Sequence, residues 1–199
     1  MSTNQEFVAM LHALERVFRD ENRPGGDMAA DALRAARRGP VDLVLPRRLE
    51  IAEIGMDLIR KDDHPAAAAI LAAFPLIDWH HSGLENGKIR PEIARSMATS
   101  ELIGPDGMIF DPDVRVGLFV QMPVLDYVTR THPAEETFVM LGGVGYWTCE
   151  GAPLQRCGVG DFIHHPANAR HASVTQKAPL IAAWRWTGDI DFDGYKLVG

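Results

Sequence analysis

From about Met108 to its end this chain breaks into short apolar runs separated by Gly, Pro and Asn, and no other feature limits its fold so strongly. Val114, Val116, Leu118 and Val120 alternate with other residues as on a half-buried strand. Further strands are expected over Leu125 to Thr129, Glu136 to Leu141, Gly145 to Cys149, Asp161 to His164, His171 to Thr175 and Leu180 to Trp186. Many short strands so closely spaced predict a small antiparallel sandwich or barrel.

The first half has a different texture. Thr3 and Glu6 stand at capping-box spacing, and Phe7, Met10, Leu11, Leu14, Val17 and Phe18 recur at helical intervals to about Arg19. Asp27 is placed to cap an alanine-rich helix through Arg38, which Gly39 and Pro40 end. Helices are also predicted over Arg48 to Arg60, Pro65 to Phe74 and Pro91 to Thr99, with the prolines in the tolerated first turn. The expected fold class is α+β, with an N-terminal helical region over residues 1–105 followed by a β-barrel over residues 106–199.

Composition removes several classes of function. The chain has 199 residues, 46% of them hydrophobic, enough for a core of its own. Lys+Arg number 20 against 27 Asp+Glu, the net charge is -7, and the positive residues are scattered, so nucleic acid is not an expected partner. No run reaches the roughly 18 to 20 apolar residues of a membrane span, and MSTNQEF lacks the features of a signal peptide. No membrane partner and a cytoplasmic location are therefore expected. The two cysteines, Cys149 and Cys157, form no CxxC pair, which excludes a cysteine-rich zinc site and makes a disulfide unexpected in a reducing compartment.

The residues that carry chemistry lie in two stretches, TRTHPAEETFVMLGGVGYW and GVGDFIHHPANARHA. In the first, Glu136 follows His132 by four positions and Gly143 comes after it; in the second, Gly160, Pro166 and His171 mark a regular spacing. Imidazole nitrogen and carboxylate oxygen suit Fe, Zn, Mn or Ni, and two histidines with one carboxylate leave coordination positions open to a substrate. Taken singly, each has a bland reading: a surface histidine, a solvated glutamate, a core histidine. Their joint spacing with the glycines and the proline favours a divalent metal ion held by His132, Glu136 and His171.

The two stretches resemble the two motifs of the cupin family, whose fold is a double-stranded β-helix, or jelly-roll barrel, with a metal inside. By that resemblance His132 matches the second histidine of the first motif, Glu136 its glutamate and His171 the histidine of the second motif. Arg130 stands where the first histidine usually is, and Val124 where the opening glycine is. Within the family, the helical N-terminal region, the HPAEE segment, Tyr127 and the terminal WRWTGDI make the chain similar to the bacterial cupin-type dimethylsulfoniopropionate lyases. That resemblance implies a metal-dependent β-elimination yielding dimethyl sulfide and acrylate, with Tyr127 as general base. It departs at Phe138, where the family commonly has a second tyrosine.

Arg130 is open to two readings, a clamp for a substrate carboxylate or a member of a rim ion pair, and Tyr146 is a candidate to replace the missing tyrosine; Tyr195, near the C-terminus, receives no role. Trp184 and Trp186, and more remotely Trp79, are candidates to face a sulfonium. His164 and His165 would point to opposite sides if extended, which leaves two readings open: one of them facing the barrel interior, or an outward-facing or structural role. Two other readings stay open: a different cupin metal enzyme, such as a dioxygenase or isomerase, acting on a small carboxylate, and a noncatalytic cupin that binds a small ligand. A homodimer through barrel edges or the apolar N-terminal helix also stays open.

Overall fold

The computed structural model describes residues 3–39, 45–82 and 89–198. Four helices come first, α1 (Thr3–Arg19), α2 (Pro24–Ala36), α3 (Glu50–Lys61) and α4 (Ala67–Ala73), and the short α5 (Pro91–Arg95) follows the first strand. The strands are β1 (His80–His81), β2 (Met97–Gly104), β3 (Ile109–Phe110), β4 (Val114–Gln121), β5 (Leu125–Thr131), β6 (Ala134–Gly143), β7 (Gly145–Cys149), β8 (Gln155–Cys157), β9 (Phe162–His165), β10 (His171–Thr175), β11 (Leu180–Gly188) and β12 (Lys196–Leu197). Among the described residues they form two sheets. One has the order β1-β2-β4-β11-β6-β9 with β3 beside β2, and the other β12-β5-β10-β7-β8. Nearly every pairing is antiparallel, the short β2/β3 contact being parallel. Two such sheets face to face after a run of helices make an α+β chain with the expected jelly roll.

The larger sheet is buried on both faces, because the helices cover one side and the second sheet the other. Val114, Val116, Leu118 and Val120 join the helical core around Phe7, Met10, Leu11, Leu14 and Phe18. Phe119 and, on β6 and β11, Phe138, Met140, Trp184 and Trp186 turn the other way into the core between the sheets. Strand β4 is thus buried along its whole length, not half-buried as its alternation suggested. Gly117 permits this: a Cβ there would meet the Ser100 carbonyl and lie 2.7 Å from the Trp184 indole nitrogen. The apolar face of α1, open in the sequence to use in a dimer, is spent on the chain's own core.

Several expectations change. The helix expected over Pro91 to Thr99 stops at Arg95, and β2 starts at Met97, so a strand of the large sheet lies inside the stretch assigned to the helical region. Helix α2 starts at Pro24 after Arg23, and Asp27 does not cap it; its carboxylate pairs instead with Arg19 at 2.6 Å. Strands β1, β3, β8 and β12 had no expectation. The side chain of Thr3 and the residue Pro40 lie outside the described residues. Both cysteines are free thiols.

Candidate metal centre

Strand pairing brings the two sequence motifs together. On β6, Glu136 faces the interior and pairs directly with His165 of β9, while His171 on β10 pairs with Arg130 of β5. His132 follows the end of β5. One oxygen of Glu136, Oε2, lies 3.6 Å from His132 Nε2, 3.3 Å from His171 Nε2 and 3.0 Å from His165 Nδ1. The ligand atoms of His132, Glu136 and His171 all lie within 4.8 Å of one another, a group that could hold a metal ion. All three side chains are buried.

The surroundings fix which atoms face inward. His132 Nδ1 donates to the Ala134 carbonyl at 3.1 Å and His171 Nδ1 to the Ala169 carbonyl at 2.9 Å. That leaves each Nε2 with its lone pair, and both Nε2 atoms are buried with no hydrogen-bond partner. Orphaned, converging imidazole nitrogens beside a carboxylate fit a divalent cation, whose ligands must be deprotonated and oriented by a second hydrogen bond. Burial, with Arg130 adding to it, holds the His171 imidazole down to about 3. Burial would raise the Glu136 carboxyl, but the facing imidazoles outweigh it and hold the group well below the usual range. The other Glu136 oxygen, Oε1, accepts the Trp186 indole N–H at 2.6 Å.

A cavity of about 370 Å³ opens beside this group. Tyr127, Arg130, Glu136, Trp184, Trp186 and Tyr195 line it. Tyr127 and Arg130 are three residues apart, and strict alternation would put them on opposite faces. A bulge resolves this: β5 spends three positions between Tyr127 and Arg130 where β10 spends two between Ser173 and His171. The Arg130 guanidinium carbon lies 3.8 Å from the centre of the Tyr127 ring. Burial pushes the Tyr127 phenol up, and Arg130 and the hydrogen bond from Tyr195 pull against it.

Other expected residues fall elsewhere. Tyr146 is not among the residues lining the cavity: on β7 it is Trp147 that turns into the interior, and its neighbour faces away. Trp79 packs in the helical core near Phe74 and is not among the residues lining the cavity. Of the histidine pair, His165 is the inward one and stacks on His171 with ring centres 4.1 Å apart; His164 turns out toward Thr137 at 3.2 Å. Phe138 packs against Phe119, Trp147 and His165, an apolar wall where a tyrosine would place a hydroxyl.

Tyr195 and Phe192 are the residues that sequence reasoning missed. Strand β12 pairs with β5, and the turn before it, where Asp191 accepts the Asp193 N–H at 2.9 Å, carries both aromatics back over the cavity. The Asp- and Gly-rich DIDFDG was the available signal, a turn cluster announcing one more strand. No helix among the described residues is long and apolar enough to cross a membrane.

Known proteins resemble this chain in sequence and in fold. The curated dimethylsulfoniopropionate lyase DddQ of Ruegeria pomeroyi is 32% identical over 124 residues, 62% of this chain and 61% of that protein, so the match spans under two thirds of the relative's length. A chain from the crystal structures of the DMSP lyases RdDddP and RnDddQII superposes with a TM-score of 0.65 at 27% identity, covering 98% of this chain and 100% of its own. The crystal structure of DddQ from Ruegeria pomeroyi DSS-3 shares the fold, with a TM-score of 0.62 at 21% identity over 92% of this chain and 96% of that one. The family model for dimethylsulfoniopropionate lyase matches residues 10–182, from the first helix to the last long strand, and the chain belongs to that family.

Proposed function

We propose that this chain is a carbon–sulfur lyase that cleaves dimethylsulfoniopropionate to dimethyl sulfide and acrylate, using a divalent ion (Fe, Zn, Mn or Ni) held by His132, Glu136 and His171. One observation carries the reading: the two orphaned Nε2 atoms and the Glu136 carboxylate meet at the wall of the cavity that Tyr127 lines. Membership of the family supports the substrate.

A bound divalent cation supplies a Lewis acid that steadies the negative charge growing toward the substrate carboxylate. Tyr127, as its phenolate, is the general base, its oxygen taking the proton α to the carboxylate; Arg130 and the Tyr195 hydroxyl favour that anion against the burial that opposes it. The C–H electron pair becomes the C=C bond of acrylate, and the C–S pair leaves with dimethyl sulfide, so no oxidant or reductant is consumed. With Tyr127 in this role, the Tyr195 hydroxyl donates to its oxygen across 2.7 Å. Trp184 and Trp186, buried on one face of β11, present ring faces that attract a desolvated sulfonium by about 2 kcal/mol.

Gas chromatography of the headspace over metal-loaded protein and dimethylsulfoniopropionate tests the proposal. Release of dimethyl sulfide well above that of Tyr127→Phe is expected, and no release above that background removes the substrate. Phe138 favours one other reading, a different metal-dependent reaction of a small carboxylate in the same barrel. Consumption of dioxygen by the Fe(II)-loaded protein, without dimethyl sulfide release, would establish it.

A further inference from the structure

Three arginines are buried in the described structure, Arg115, Arg130 and Arg185. Two of them are neutralised by the chain. Arg115 pairs with Glu101 at 2.7 Å and Asp106 at 2.9 Å, and Arg185 pairs with Glu21 and with Glu135 at 2.8 Å. Arg130 differs: among the described residues it forms no ion pair, although it is only 1% exposed. Its Nη1 donates to the Tyr127 carbonyl at 3.3 Å, and its Nη2 is buried with no hydrogen-bond partner. Of the carboxylates that line the same cavity, Glu136 is directed to the three imidazoles and Trp186, and Glu101 and Asp106 to Arg115.

A guanidinium cannot shed its charge, and burying one without a counter-ion is costly. Such a group persists where function needs it, and this one lines the cavity. We infer that Arg130 is an anion site that binds the carboxylate of the substrate and of its unsaturated product, and so sets the orientation of the ligand. The inference deepens the proposed function and rests on its assignment of the cavity to a small carboxylate. The chemistry fits the geometry. Stacking on the Tyr127 ring holds the guanidinium plane, and the free Nη2 edge can meet a carboxylate through charge-assisted hydrogen bonds. The aromatic wall of Trp184, Trp186 and Phe192 remains for the other end of the ligand. In this chain the position that a cupin gives to its first histidine has become the group that recognises the substrate's charge.

The test is calorimetric titration of the full chain with propionate, acrylate and the uncharged propionamide, with metal bound and again after chelation. Propionate and acrylate are expected to bind in both states, with propionamide at least about 10-fold weaker. Arg130→Met should lose about 10-fold or more of the carboxylate affinity in both states, and Arg130→Lys should keep part of it. Thermal melting of the wild type should rise with propionate and not with propionamide, a readout that needs no variant. Binding that vanishes on chelation, or is unchanged in Arg130→Met, or fails to distinguish propionate from propionamide, overturns the inference. Because none of these measurements uses dimethyl sulfide release, a failure here is separable from a failure of the lyase assignment.

Discussion

The hydroxyl of Tyr195, which lies outside both barrel motifs, is 2.7 Å from the hydroxyl of Tyr127, and both side chains are buried. The Tyr195 ring also stacks on His132, with ring centres 5.9 Å apart. The C-terminal segment thus closes the site and touches both the proposed base and a proposed metal ligand. Tyr127→Phe is expected to lower kcat by about 100-fold or more, whereas Tyr195→Phe, which removes one donor to the base, should lower kcat by about 10-fold with little change in KM. Steady-state kinetics by headspace chromatography checks both, and equal kcat in Tyr195→Phe and wild type would remove the positioning role.

Trp186 reaches the proposed metal centre through Glu136, whose Oε1 it holds at 2.6 Å. Trp186→Phe preserves the ring and deletes the donor, so metal affinity should fall by about 10- to 100-fold. Competition with a chromophoric chelator measures this. Glu136→Gln should lose stoichiometric metal altogether, since an uncharged amide replaces the only anionic member of the group.

On the opposite face of β11, Arg185 ties the sheet to the α1/α2 junction through Glu21, and the Thr137 hydroxyl donates to the same carboxylate at 2.7 Å. These groups are buried, so removing one partner strands the other's charge. Arg185→Met should destabilise the fold by about 3–5 kcal/mol in urea denaturation, and adding Glu21→Leu should recover part of the loss. Full stability of the single variant would show the pair to be replaceable. Glu21, Glu135 and His164 also gather within ligand distance of one another, but Arg185 already lies among those carboxylates.

Val124 has a φ of 57°, in the left-handed region that a β-branched side chain enters only at a cost. It is also where the cupin pattern has its opening glycine, and its side chain is exposed, so little packing is lost on removing it. Val124→Gly should raise stability by about 0.5–1 kcal/mol, the relief of strain exceeding the added chain entropy of glycine. Denaturant midpoints of the two proteins decide the sign.

His64 offers a pH test far from the site. Its Nδ1 accepts the Ala66 N–H at 3.1 Å ahead of α4, and burial lowers its pKa below that of a free imidazole. The folded state therefore prefers the neutral ring, so this contribution is present above the ordinary histidine pKa and is lost as pH falls below it. NMR titration should place His64 below the ordinary midpoint, and His64→Asn, which keeps an acceptor but does not titrate, should flatten stability between about pH 6.5 and the lower folded value. An ordinary titration midpoint would contradict the burial argument.

The linear sequence determined the strand-rich second half, the helical start and the members of the proposed metal group, because these follow from short-range periodicity and from the side-chain type at fixed spacing. His132, Glu136 and His171 were legible in this way, and their convergence in the structure follows from β6 and β10 lying in separate sheets that face each other. Val124 was legible too, as a missing glycine whose backbone angle explains why glycine suits that place. Tertiary structure alone decided the rest of the cavity. Strict alternation separates Tyr127 from Arg130, and only the bulge opposite His171 and Ser173 turns both inward. Tyr195 arrives because β12 adds to the edge of β5, a pairing between distant segments that no local pattern encodes. Tyr146 looked equivalent by residue type, yet the register of β7 sends Trp147 inward in its stead. Local sequence sets which side chains are available and with what period; a single-residue change of register then selects the face each one occupies, and that selection is made by the packing of the whole barrel.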